Sequence, residues 1–157
     1  MAMCNKNYMD QFNSPEEFIR HEICANRGTQ NVIDKDELAT LACSFGIEVD
    51  EKKLTKDEIY LRMRKSVSVE DIAAHCQHLG VSSFNFQQKF GITHEEVKRM
   101  ARFGFIKITG SQRIRLYGKY RNVDLYSVFD YFRLSQEDVD EWLRMHPKGT
   151  RQSKRQR

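Results

Sequence analysis

The chain has 157 residues, 39% apolar and 11% aromatic, with a formal charge of +4 from 26 Lys+Arg and 22 Asp+Glu. That is apolar enough for one ordinary domain or two small ones, which argues against wholesale disorder. No run approaches the ~20 apolar residues of a membrane span, the start carries no signal-peptide pattern, and a soluble cytoplasmic protein is expected. Four scattered cysteines (Cys4, Cys24, Cys43, Cys76) with no close pair read as reduced, buried thiols rather than a disulfide framework.

Residues 1–13 are polar. Ser14-Pro15-Glu16-Glu17 then predicts a helix start, with Ser as cap, Pro at the first helical position and Glu17 closing a capping box. Phe18, Ile19, Ile23 and Cys24 would form its buried face, and Asn26-Arg27-Gly28 would end it. Asp34 or Asp36 opens a second helix with Leu38, Leu41, Ala42 and Phe45 on one stripe, closed by Gly46. An extended stretch over 47–54 leads to Thr55-Lys56-Asp57-Glu58, the cap of a third helix carrying Ile59, Leu61 and Met63.

Two short helices joined by an extended linker, DKDELATLACSFGIEV feeding LTKDEIYLRM, resemble the helix-extended-helix family of SAP, LEM and Rho N-terminal-type modules over residues 33–65. Members of that family bind DNA, RNA or proteins. The many acids on these helices point this copy toward a docking or interaction role, hence a protein partner. Residues 62–66 read as a hinge, dividing a helical module at 14–66 from a second unit at 67–146.

In the second unit Ser68-Val69-Glu70-Asp71 caps a helix running through Ile72, Ala73, Cys76 and Leu79 to Gly80. Ser82-Ser83 opens a short helix with Phe84, Phe86, Gln87 and Phe90, ended by Gly91. Thr93-His94-Glu95-Glu96 is a capping box for a helix over 94–103, closed by Gly104. Beyond it the period falls from about 3.6 to 2. Ile106 and Ile108 share a face, as do Ile114 and Leu116, with Gly110-Ser111-Gln112 as the hairpin loop between the two pairs. Leu125, Val128, Phe129 and Phe132 then fall at helical spacing, Ser135 caps a last helix with Val139, Trp142 and Leu143, and residues 147–157 form a basic, disordered tail.

Charge is concentrated in this unit. Lys98, Arg99, Arg102, Lys107, Arg113, Arg115, Lys119 and Arg121 fall within 24 residues that hold no acid, the pattern of a folded surface for a polyanion. On a helical wheel Val97, Met100 and Ala101 form a buried stripe and Lys98, Arg99 and Arg102 the opposite, solvent face, with Glu95 pairing Arg99. Such a helix fits a DNA major groove, where Lys and Arg reach guanine O6 and N7. Thr93 and His94 stand at its start. On the hairpin, Ile106, Ile108, Ile114 and Leu116 would point inward and Lys107, Arg113 and Arg115 outward toward phosphates.

The stretch FGITHEEVKRMARFGFIKITG with RIRLYGKYRNVDLYSVFDYF resembles the winged helix-turn-helix proteins of the excisionase and mercury-resistance-regulator superfamily. The resemblance implies a turn at Ile92-Thr93, a recognition helix over 94–103 and a post-wing strand at Gly118-Lys119-Tyr120-Arg121. It departs from mercury-type regulators in lacking a long dimerisation helix, and its opening helix is aromatic. It implies sequence-specific duplex DNA binding in transcriptional control or a phage or mobile-element accessory role. The site would comprise Thr93, His94, Lys98, Arg99, Arg102, Lys107, Arg113, Arg115, Lys119 and Arg121. A single such domain makes few contacts, so a homodimer, a second module or the tail would add affinity. Rival readings are a protein-interaction adaptor on the same scaffold and an RNA binder.

Other chemistries lack support. His75, Cys76 and His78 have no second ligand pair, so no metal or other cofactor is expected. Aromatics from Phe84 to Tyr131 read as core before they read as a stacking surface. No phosphate-binding glycine loop, nucleophile elbow or HExxH motif is present, and the chain is not expected to be an enzyme. The expected fold is mainly α: a helix-extended-helix module, then a winged helix-turn-helix with a two-stranded wing.

Overall fold

A computed structural model describes residues 7–26, 29, 31, 33–76 and 79–147. Among them a short 3-10 helix (Tyr8–Gln11) precedes three α-helices, α1 (Pro15–Cys24), α2 (Lys35–Ser44) and α3 (Lys56–Arg64). There follow α4 (Val69–Ala74), α5 (Ser83–Phe90), α6 (His94–Arg102), strands β1 (Ile108–Leu116) and β2 (Lys119–Tyr126), and helices α7 (Val128–Arg133) and α8 (Gln136–Met145). The protein is mainly helical with one antiparallel hairpin. No helix among the described residues is long and apolar enough to cross a membrane.

The helix starts follow from local hydrogen bonding. Ser14, Asp34, Thr55, Ser68, Ser82, Thr93, Ser127 and Ser135 each accept the backbone N–H three residues on. Each such cap contributes about 1 kcal/mol. Thr55, Ser82, Thr93 and Ser135 sit in full capping boxes. At α1 the expected box does not close on Ser14: the Glu17 carboxylate instead accepts the N–H of Asn13 at 2.9 Å.

Apolar spacing sets the packing. Phe18, Ile19 and Ile23 of α1, Leu38 and Ala42 of α2, and Ile59, Tyr60 and Met63 of α3 are buried in one cluster with Ile72, Phe86, Val97, Met100, Tyr126 and Val139. This cluster runs unbroken across residues 66 and 67, where the sequence suggests a hinge, and α1 packs on α3, α4 and α7. Polar ties cross the same point. Buried Glu22 accepts the backbone N–H of Asn31 at 2.7 Å, and the Asn31 side chain donates to the Gly80 carbonyl at 3.1 Å.

Several sequence expectations are corrected. Leu61 is exposed and Tyr60 takes its core place. The fourth helix stops at Ala74, and Gly80 caps nothing: a Cβ there would lie 2.7 Å from Leu125 Cβ, so the glycine permits close approach to β2. Leu125 belongs to β2 rather than to a helix. Cys43 is exposed and Cys24 half-buried, whereas Cys76 is buried. Cys4, His78 and the tail 148–157 lie outside the described residues.

The hairpin differs most. Gly110-Ser111-Gln112 is not its loop but part of β1, with a bulge between Ile108 and Gly110. The reversal is at Tyr117-Gly118, both with positive φ (51° and 79°), the two left-handed residues that a two-residue turn matching the strand twist requires. Gly118-Lys119-Tyr120-Arg121 is thus the turn and returning strand of the hairpin itself. Ile106 is buried as expected, but Ile108 is 52% and Leu116 41% exposed because the ribbon projects past the helices.

Candidate functional site

Helices α5 and α6 are joined through Gly91, Ile92 and Thr93, with Gly91 in the left-handed conformation (φ 64°) that ends α5. The two helices pack on each other, and Ser83 Oγ and His94 Nδ1 lie 2.7 Å apart in a hydrogen bond between their first residues. Gln87 Nε2 donates to the same hydroxyl at 3.0 Å. His94 is thereby oriented by α5.

Between the start of α5, the exposed side of α6 and the hairpin lies a groove of about 510 Å³. His94 and Lys98 line it from α6, Arg121 from β2, and Phe84 from α5. Ile114, Leu116 and Val123 supply apolar wall, and Asp124 is the acid on the lining. Among the described residues neither Lys98 nor Arg121 is engaged in an ion pair, so both charges are available to a ligand.

The register divides the remaining cations. Arg113 opposes Asn122 and Arg115 opposes Tyr120, while Ile114 opposes Arg121 and Leu116 opposes Lys119. Opposed residues share a face and neighbours alternate, so Arg113, Arg115 and Tyr120 occupy one face of the ribbon, and Ile114, Leu116, Lys119 and Arg121 the other. Arg113 stacks over the Tyr120 ring at 4.6 Å and Arg115 at 5.7 Å. At the tip Tyr117 is 99% exposed.

Three of the ten expected site residues, His94, Lys98 and Arg121, line the groove, and Arg99 and Lys107 lie away from both it and the hairpin. Arg99 is only 7% exposed, not on the solvent face, because α8 covers that side of α6. Its Nη2 donates to the His146 carbonyl at 2.9 Å, beyond the last turn of α8, where helix carbonyls favour a cation. Glu95 accordingly pairs with Arg102 at 3.9 Å rather than with Arg99. Lys107 lines a separate cavity with Glu70, Phe129 and Asp130, and its N–H donates to Asp130 Oδ2 at 2.8 Å. The Thr93 hydroxyl accepts the Glu96 N–H at 3.1 Å, while the residue itself is exposed.

The sequence places Phe84 with the core aromatics ahead of a base-stacking surface, and the structure instead exposes it on the groove. The signal was present: Phe86 and Phe90 share a helix face and Phe84 lies about 200° from Phe86, so it could not join them in the core. Among the described residues no group of three or more His, Cys, Asp or Glu side chains is arranged to hold a metal ion. Comparison with protein families, with curated proteins and with solved structures gives no match for this chain.

Proposed function

We propose that the protein binds duplex DNA in the manner of a winged helix-turn-helix. In this reading α6 enters the major groove, Lys98 and Arg102 contact it, and the hairpin is the wing that carries phosphate contacts through Arg113, Arg115, Lys119 and Arg121. Its biological role would be transcriptional control or a phage or mobile-element accessory function. The observation that carries this reading is the shared groove: Lys98 and His94 of an exposed helix and Arg121 of a projecting ribbon line one concave surface without compensating ion pairs. The helix α6 is the right size to enter a major groove, and phosphate contacts are expected to come from such flanking cations. Residues 33–65 would serve as the helix-extended-helix interaction arm, and the five cations of 148–157 would add backbone contacts.

The test is fluorescence anisotropy on a labelled duplex over a range of salt. Each phosphate contact removed should flatten the plot of log K against log salt by about 0.9. Arg113→Ala/Arg115→Ala should therefore reduce the slope by nearly two, and an unchanged slope would remove that face of the hairpin from the interface. The rival adaptor reading draws on the exposed apolar surface of Phe84, Ile108 and Leu116. It predicts a protein complex that survives nuclease treatment.

A further inference from the structure

Phe84 is left out of the core. It is 57% exposed on the second residue of α5, while Phe86 and Phe90 of the same helix are buried. Its ring lines the groove together with the aliphatic side chains of β1 and with two unpaired cations, Lys98 and Arg121. An inorganic anion would use the cations and waste the ring. An apolar ligand would leave both charges facing it. A nucleotide satisfies both, since its base is a flat aromatic surface and its phosphate an anion. Gln87 on the same lining offers its amide oxygen to a base edge, and about 510 Å³ is within the range of small-ligand sites. Asp124 disfavours a more highly charged polyphosphate.

We propose that this groove is a slot for one unpaired nucleotide, its base against Phe84 and its phosphate at Lys98 and Arg121. The nucleotide is either an unpaired base of a bound strand or a free nucleoside monophosphate. The first form rests on the DNA-binding reading, the second does not.

The test compares, with the full chain, two duplexes of identical sequence, one carrying a single bulged thymine, and adds thymidine 5′-monophosphate alone. Loss of one base–aromatic stack weakens binding about five- to hundredfold. Wild type should prefer the bulged duplex by a factor in that range. Phe84→Ala should bring the ratio of bulged to paired affinity to about one, and Phe84→Trp should retain it. A wild-type ratio of one, or a ratio that Phe84→Ala leaves intact, overturns the strand-bound form while leaving paired-duplex binding standing. If neither duplex binds, the DNA reading has failed and the mononucleotide decides. Titration shifts at the amides of residues 83–87, lost in Phe84→Ala, would sustain the slot; their absence would end it. Thermal melting of Phe84→Ala checks that an exposed substitution has left the fold intact.

Discussion

Asn7 and Asn85, 78 residues apart, exchange two hydrogen bonds: Asn85 Nδ2 donates to Asn7 Oδ1 at 2.9 Å, and Asn7 Nδ2 donates to the Asn85 carbonyl at 3.1 Å. Asn7 Nδ2 also donates to the Tyr131 hydroxyl at 2.8 Å. Both asparagines are buried, so the pair ties the start of the described chain to the first helix of the α5–α6 pair and to α7. Removing Asn7 strands the buried Asn85 amide away from water, and removing the Asn85 side chain also opens the capping box of α5, each at a cost of about 1–3 kcal/mol. Asn7→Ala and Asn85→Ala should each lower stability by that order in urea titrations. The double variant should cost clearly less than the sum, as residues in contact do. Strict additivity would show that the amides are not coupled.

Because one apolar cluster joins α1–α3 to the later elements, the chain should unfold in a single transition. Ile59→Ala should cost about 2–5 kcal/mol and Phe86→Ala about 3–5 kcal/mol, both read by the same midpoint whichever half carries the probe. Two separable transitions, each sensitive to one substitution, would contradict a shared core.

The three cations of α6 should behave as two kinds of residue. Arg99→Ala removes a buried charge-assisted bond to His146 and should destabilise the fold by about 1.5–3 kcal/mol. Lys98→Ala and Arg102→Ala, at exposed positions, should stay within about 0.5 kcal/mol of wild type. Chemical denaturation of the three variants separates them. Equal effects would place Arg99 on the surface after all.

These contrasts show what the sequence could and could not carry. Caps such as Thr55 and Thr93 were legible because they depend on residues within three positions. The α2 stripe of Leu38 and Ala42 was legible because helical periodicity is local too. Arg99 was misplaced because a helical wheel knows nothing of α8, whose end takes up its guanidinium 47 residues along the chain. The hairpin loop was misplaced because Gly110-Ser111-Gln112 has the stronger turn composition, whereas Tyr at a left-handed position is rare and argues against a turn at Tyr117. The exposure of Phe84 was open to the same wheel that assigned Phe86, but the convergence of Lys98 with Arg121 depended on a strand register that composition does not encode.

Acid should weaken one named contact. Arg64 donates to Glu16 through Nε at 2.8 Å and Nη2 at 3.3 Å, and chiefly through this hydrogen bonding holds the Glu16 carboxyl below its usual value. A folded-state value below the unfolded one means that the unfolded chain binds the proton more readily. The stabilisation is therefore complete above the unfolded glutamate value and is lost as pH falls through the folded one. Both partners are substantially solvated, so the effect is about 0.2–1 kcal/mol. Glu16→Gln should melt lower than wild type near neutral pH and converge with it in acid. A gap that persists in acid would assign the loss to packing instead.

The central claim is that α6 reads duplex DNA, and selection from a randomised duplex pool tests it most directly. Wild type should enrich a defined sequence, Lys98→Ala/Arg102→Ala should lose that enrichment while keeping its melting temperature, and a chain ending at Pro147 should keep the sequence with weaker binding. Enrichment of no sequence by wild type, or an unchanged sequence from Lys98→Ala/Arg102→Ala, would contradict it.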